Sequence, residues 1–269
     1  MITLPQLIAH RGDRRYAPEN TLAAFRQAKA KGARWVEFDA TLTRELLAPA
    51  VIFHDDTAGR TTDLGDRPLN TLGFEELRAA DAGSWFAPAF AGEKVPTLAE
   101  TMTLCDELGL GMNIEIKLSA GTDEALAQLT ARRVLEDVAA VRKGNWDNIL
   151  FSSFSPYAVQ VVREAVPEAA CGFLLHQLAA EDAHDDSWPD LSAWLLQLQP
   201  HTLHLNHELI PDPSRFTQFR AVMHRALGRE LPLLAYTVNE AARAKELFDW
   251  GIAALFTDAP GDLRAELSR

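Results

Sequence analysis

Short β-rich runs alternate with amphipathic stretches along the whole chain, and this alternation limits the fold more than any other feature. The runs predicted as strands are Leu7–His10, Trp35–Thr41, Met112–Lys117, Ile149–Phe154, Cys171–His176, Thr202–His207, Leu233–Val238 and Ala254–Asp258. The predicted helices between them are Thr21–Lys31, Thr97–Leu108, Glu124–Val141, Pro156–Val166, Leu191–Leu198, Phe216–Leu227 and Glu240–Trp250, with a tail from Pro260. Eight such βα pairs in 269 residues predict an α/β protein of the (β/α)8 TIM-barrel type, rather than an open doubly wound sheet. No Gly-rich nucleotide fingerprint or P-loop follows any strand, which weakens the open-sheet alternative. The expectation is a single barrel domain over residues 1–269, with a small insertion after the second barrel strand at about residues 55–95. That stretch carries no sustained helical pattern, and it holds Arg60-Thr61-Thr62-Asp63, Asp81 to Phe86, and Phe90. A connection so long within a barrel is usually functional. Its aromatics either fold over the barrel mouth or pin a surface excursion by their own apolar cluster.

The formal net charge is -12. Such a surface repels nucleic acid and anionic membranes, so an anionic substrate must meet a locally reversed field. The N-terminal residues have neither a basic region nor a long apolar core, and no run is long enough to span a bilayer. Only Cys105 and Cys171 are present, which argues against a disulfide framework and for a reducing cytoplasm. No nucleic-acid partner and no stable membrane association are expected. Trp188 and Trp194 suggest either a homodimer contact or burial under a helix. The acidic segment 181–190 carries no motif and reads as a solvated loop.

The chemistry-bearing residues cluster at predicted strand ends. In Trp35-Val36-Glu37-Phe38-Asp39-Ala40 the strand period puts Glu37 and Asp39 on one face and Val36, Phe38 and Ala40 on the other. The apolar set must meet the surrounding helices, so the carboxylates point into the barrel, roughly 7 Å apart at the backbone. By the same logic, Asn113, Glu115 and Lys117 point in, while Ile114 and Ile116 point out. Three carboxylates without a nearby cysteine describe a site for one hard divalent cation, Mg²⁺ or Ca²⁺. The alternative is an internal ion-pair network with Lys117 and Arg11. Charge favours the cation: with it, Glu37, Asp39, Glu115, Arg11 and Lys117 leave one net positive charge, suited to a phosphodiester. Without it the set is net negative. His10 and His54 each end an apolar run. Phosphodiester cleavage requires a base for the attacking oxygen and an acid for the leaving alkoxide, and these two imidazoles can fill those roles.

Taken in order, His10-Arg11-Gly12, Pro18-Glu19-Asn20-Thr21, Glu37-Phe38-Asp39, His54-Asp55-Asp56-Thr57 and Pro96-Thr97-Leu98 resemble the glycerophosphodiester phosphodiesterase family. So do Asn113 to Lys117, Ser152-Ser153-Phe154, Tyr236 to Asn239 and Thr257-Asp258. His204 to His207 and the Asp81–Phe86 run are similar to the family's bacterial cytoplasmic branch that works beside glycerol 3-phosphate uptake. The resemblance implies a barrel with an insertion after its second strand. It implies a divalent cation on Glu37, Asp39 and Glu115, acid/base catalysis by His10 and His54, and phosphate contacts from Arg11 and Lys117. Trp85, Phe86 and Tyr236 are the aromatic candidates for substrate contact. The implied reaction is hydrolysis of glycerophosphocholine, glycerophosphoethanolamine and similar small molecules to glycerol 3-phosphate and an alcohol. The chain departs from the family in two places: Arg44 to Ala50 forms a longer, glycine-free turn before the His54 run, and Tyr236 stands where tryptophan is common. A related phosphodiesterase acting on intact lipids and a non-catalytic phosphodiester binder are the alternative readings.

Overall fold

The computed structural model describes residues 2–119, 121–175, 189–210 and 212–269. Nine strands form one sheet: β1 (Leu7–Ala9), β2 (Trp35–Thr41), β3 (Val51–Ile52), β4 (Gly111–Ile116), β5 (Ile149–Ser153), β6 (Ala170–Leu175), β7 (Thr202–Asn206), β8 (Leu233–Tyr236) and β9 (Ala254–Thr257). All but β3 run parallel, and β1 pairs with both β2 and β9, closing an eight-stranded barrel. The helices are α1 (Leu22–Ala30), α2 (Phe74–Ala79), α3 (Leu98–Leu108), α4 (Glu124–Arg142), α5 (Pro156–Ala165), α6 (Pro189–Leu198), α7 (Pro213–Leu227), α8 (Ala241–Trp250) and α9 (Pro260–Leu267). The predicted TIM-type barrel is the observed fold. His176, Trp188 and residues 181–188 of the acidic segment lie outside the described residues. Trp194, the other residue behind the suggested homodimer contact, packs its ring edge-on against Tyr157 at 5.5 Å.

Local sequence explains the element ends. Thr97 opens α3 with a reciprocal capping box to Glu100, and Gly109 closes it in a left-handed conformation, which satisfies backbone groups that a helix leaves unpaired. The strand period sorts side chains between two environments. Val36, Phe38 and Ala40 of β2, with Met112, Ile114 and Ile116 of β4, join the large core beneath the helices. The opposite faces look inward, and the register sets Glu37 opposite Asn113 and Asp39 opposite Glu115. The lower end of the interior is filled by Ile8, Trp35, Leu150, Leu234, Ala254 and Phe256.

The excursion between β2 and α3 differs in detail from the sequence expectation. It begins with β3, which folds back antiparallel on the end of β2. His54 therefore follows an added strand and not a barrel strand. Phe53 N–H donates to Asp39 O at 2.9 Å, so this return brings the following histidine back towards the tip of β2. The stretch also contains the six-residue helix α2 and two short 3₁₀ turns. Six residues are too few to display amphipathic periodicity, which is why the sequence reads as irregular there. Val51, Phe53, Ala58, Leu69, Leu72 and Leu77, with Ala82 and Val95, give this region a small core of its own.

Candidate active site

The tip of β1 turns sharply through Arg11 (φ 53°) and Gly12 (φ 83°). A Cβ at Gly12 would lie 2.6 Å from Ala24 Cβ, so both the left-handed backbone and the close approach to α1 call for glycine. The turn aims the Arg11 backbone N–H at Glu37 Oε2, 2.9 Å away. Arg11 Nη1 donates to Glu19 Oε1 at 2.8 Å, and its Nε lies 3.3 Å from Asp39 Oδ2. Asn20, also left-handed at φ 58°, donates its amide to Asp39 Oδ2 at 2.8 Å; asparagine tolerates that backbone better than most residues.

Among the described residues, Glu37, Asp39 and Glu115 form a buried group whose ligand oxygens lie within 4.8 Å of one another. Burial, then repulsion from Asp39 and Glu115, pushes the Glu37 carboxyl well above its ordinary pKa. Burial and Asp39 likewise raise Glu115. Burial acts to raise Asp39 too, but Arg11, His54 and Lys117 outweigh it and hold it below the usual range. Glu115 Oε1 is buried without a hydrogen-bond donor, although Lys117 Nζ lies 3.4 Å away. A set of oxygen donors, mutually repelling and with one oxygen unclaimed, fits a hard divalent cation.

The two imidazoles are held alike. His10 Nδ1 lies 2.8 Å from Asp258 Oδ1, and His54 Nδ1 lies 2.7 Å from Asp55 Oδ1. Burial would raise both aspartates, but their hydrogen bonds and charge partners overcome it and keep them below the ordinary carboxylate range. An ionised carboxylate only accepts, so Nδ1 carries the proton in both rings and Nε2 is the nitrogen left for chemistry. Burial and the neighbouring Arg11 lower the pKa of His10 despite Asp258. Lys117 is raised, because Glu115 and Asp39 outweigh its burial, so it stays cationic.

His10, Arg11, Glu37, His54, Glu115 and Lys117 all border one cavity of about 270 Å³. Its remaining wall includes Phe154, Leu174, Tyr236 and Phe256. The Tyr236 hydroxyl donates to Leu175 O at 2.6 Å, and its ring stands edge-on to Phe154 at 6.0 Å. Trp85 and Phe86 do not border this cavity. Phe86 stands edge-on to both Trp85 and Phe90 in the excursion, and Trp85 Nε1 donates to Ala82 O. The excursion reaches the site through His54 and through Arg60, which donates to both Glu19 and Asp55.

Sequence reasoning gave no role to Glu19, Asn20, Asp258 or Arg60, though each stood in a quoted segment. It likewise quoted His204 without a role, and this residue borders the cavity fully buried. Burial lowers the His204 pKa to about 3, so this imidazole is neutral. Gly172 makes room for it: a Cβ there would lie 2.6 Å from His204 Nε2. Gly172 pairs in register with Thr202 and Leu174 with His204, so a glycine two positions before the histidine's partner on the neighbouring strand was the available signal.

The chain matches the Glycerophosphoryl diester phosphodiesterase family over residues 10–262. It is 29% identical over 262 residues to a glycerophosphodiester phosphodiesterase of Caldanaerobacter subterraneus subsp. tengcongensis, covering 96% of this chain and 95% of that one. With a glycerophosphodiester phosphodiesterase of Bacillus subtilis it shares 28% identity, over 94% of this chain and 83% of the relative. The solved structure of an Oleispira antarctica phosphodiesterase in complex with the product sn-glycerol-3-phosphate superposes with a TM-score of 0.81 at 31% identity, covering 99% and 98% of the two chains. The chain belongs to the glycerophosphoryl diester phosphodiesterase family and is an enzyme of glycerophosphodiester hydrolysis.

Proposed function

We propose that this enzyme hydrolyses soluble glycerophosphodiesters, such as glycerophosphocholine and glycerophosphoethanolamine, to glycerol 3-phosphate and an alcohol. Glu37, Asp39 and Glu115 hold one divalent cation, Mg²⁺ or Ca²⁺. His10 and His54 are the acid/base pair. The observation that carries this reading is the convergence, on one cavity, of Glu37 and Glu115 of the acidic group and two imidazoles each backed by an ionised aspartate.

When bound, the cation supplies charge stabilisation to the phosphoryl oxygens. Lys117 and Arg11 add fixed positive charge on the same wall, where low dielectric strengthens it. One imidazole accepts the proton of the attacking oxygen at Nε2, and the other returns a proton to the leaving alkoxide. Tyr236 and Phe154 offer an apolar wall to the organic part of the substrate, so the proposed substrate contacts are Arg11, Lys117 and Tyr236, without Trp85 or Phe86. Among the described residues no helix is long and apolar enough to cross a membrane, which supports a small soluble substrate over a bilayer lipid. Cys105 and Cys171 are buried and unbridged, which supports action in the cytoplasm.

The test measures glycerol 3-phosphate release from glycerophosphocholine. Chelation is expected to abolish turnover, and Mg²⁺ or Ca²⁺ to restore it. Full hydrolysis by chelated, metal-free protein would overturn the cation's role. His54→Ala is expected to lower kcat about 10²–10⁴-fold; an unchanged pH–rate curve would remove that residue from the mechanism.

A further inference from the structure

Glu19 is 4% exposed at its side chain, and three guanidinium groups converge on it. Arg11 Nη1 donates at 2.8 Å, Arg60 donates through Nη1 at 2.9 Å and Nη2 at 2.6 Å, and Arg14 Nη2 lies 3.4 Å away. Each arginine then reaches onward to a second carboxylate. Arg60 Nη2 donates to Asp55 Oδ1 at 2.9 Å, the same oxygen that faces His54 Nδ1 at 2.7 Å. Arg14 Nε lies 3.6 Å from Asp258 Oδ1, which faces His10 Nδ1 at 2.8 Å. Arg11 continues to Asp39.

We infer that Glu19 is the positioning residue that sets both imidazoles at once, through Arg60–Asp55 to His54 and through Arg14–Asp258 to His10. This deepens the proposed function and rests on it.

A purely structural role would have Glu19 neutralise the buried Arg11 and no more. The other two arginines argue against that. Arg60 is 44% exposed and Arg14 28% exposed, so water can solvate both without help from Glu19. Their side chains are instead drawn inward to a single carboxylate, and from there each meets the aspartate that orients a ring. Burial acts to raise the Glu19 carboxyl, but Arg60, Arg11 and Arg14 outweigh it and hold it at about 2, so it is an anion throughout the working pH range. A planar guanidinium bridging two carboxylates transmits orientation because its donors are rigidly spaced. His54 sits on the excursion and His10 on the barrel rim, 44 positions apart in sequence. Backbone pairing brings both segments to the rim, through Phe53 N–H to Asp39 O and His10 N–H to Thr257 O, and among the described residues Glu19 is the one carboxylate that links the aspartates facing the two rings.

The experiment compares Glu19→Gln, Arg60→Met and Arg14→Met, together with the Glu19→Gln/Arg60→Met and Glu19→Gln/Arg14→Met pairs, in the full chain. Folding is followed by thermal melting and Mg²⁺ or Ca²⁺ affinity by calorimetry. Glu19→Gln is expected to lower kcat about 10²-fold, as a displacement of catalytic groups does, with KM and cation affinity each within about threefold. Each arginine change is expected to cost much less in the Glu19→Gln background than alone, because the members act as a unit. Additive losses, or a kcat within about threefold of wild type, overturn the inference, as does a fall in cation affinity parallel to kcat. A second readout needs no turnover. In ¹H–¹⁵N spectra of the imidazole rings, the hydrogen-bonded Nδ1–H signals of both His10 and His54 are expected to shift in Glu19→Gln. Only the His54 signal should move in Arg60→Met, and only the His10 signal in Arg14→Met. Rings that stay unmoved sink the inference whatever the activity. A wild-type protein that hydrolyses no glycerophosphodiester counts against the proposed function, and the spectra still decide the role of Glu19. Should Glu19→Gln fail to fold, the two arginine variants test the branches separately.

Discussion

At the lower end of the barrel, Ile8, Trp35, Leu150, Leu234, Ala254 and Phe256 meet in an apolar cluster. A few residues further along the same strands, the inward positions become His10, Glu37 and Asp39. On β2 the change takes one step of the strand period, from Trp35 to Glu37. The lower cluster fills space: Gly111 opposite Trp35 has no room for a side chain, since a Cβ would lie 2.2 Å from the indole. The upper cluster instead gathers like charges: burial and repulsion raise Glu37 and Glu115, while Arg11, His54 and Lys117 hold Asp39 low. One end thus contributes cohesion, and the other is held together in spite of its own repulsion. Conserving barrel geometry at the base is what permits an unfavourable charge arrangement at the mouth.

The comparison can be broken most easily at the mouth. Glu115→Ala is expected to lower kcat about 10³-fold, several kcal/mol of lost charge stabilisation, while the metal-free protein melts at a higher temperature because one repelling carboxylate is gone. A lower melting temperature would show that the acidic cluster is cohesive after all. At the base the expectation reverses. Trp35→Ala should cost about 3–5 kcal/mol in denaturant unfolding, with kcat within about threefold of wild type well below the unfolding midpoint. Loss of activity without loss of stability there would erase the division of labour.

A third, smaller effect sharpens the contrast through pH. The folded-state pKa of Glu19 is depressed, from 4.5 to about 2. Its contribution is therefore fully present above the unfolded value and is lost as pH falls towards the folded one. Stability should drop by about 3 kcal/mol between pH 4.5 and 2 from this group. Glu19→Gln should flatten that part of the curve of melting temperature against pH, and Trp35→Ala should leave its shape unchanged. An acid limb untouched by Glu19→Gln would place the titrating groups elsewhere.

Legibility in the sequence followed the range of the interaction. Glu37, Asp39 and Glu115 were readable because a strand alternates its faces and the alternate set was plainly apolar. Register partners on adjacent strands then had to meet. Asp55 directly follows His54, but the more distant supports of the imidazoles were not readable. Asp258 lies 248 positions from His10, and Arg60 lies 41 from Glu19, so neither spacing carries a periodic signal. The aromatic run Trp85-Phe86 suggests a cover for the mouth, whereas the excursion joins the site through His54, Asp55 and Arg60.

By itself, the amino-acid order determined the barrel, the inward direction of the acids and lysine, and the two strand-end histidines, because each follows from local periodicity and the need to bury apolar faces. Tertiary structure alone decided that β3 returns antiparallel to bring His54 back to the tip of β2. It alone also decided that Glu19 binds three arginines and that Asp258 backs His10. The first depends on β3 folding back along β2, and the pairing of His10 with Asp258 on closing the sheet between β1 and β9; both bring separated segments together at a cost in chain entropy that no local pattern records.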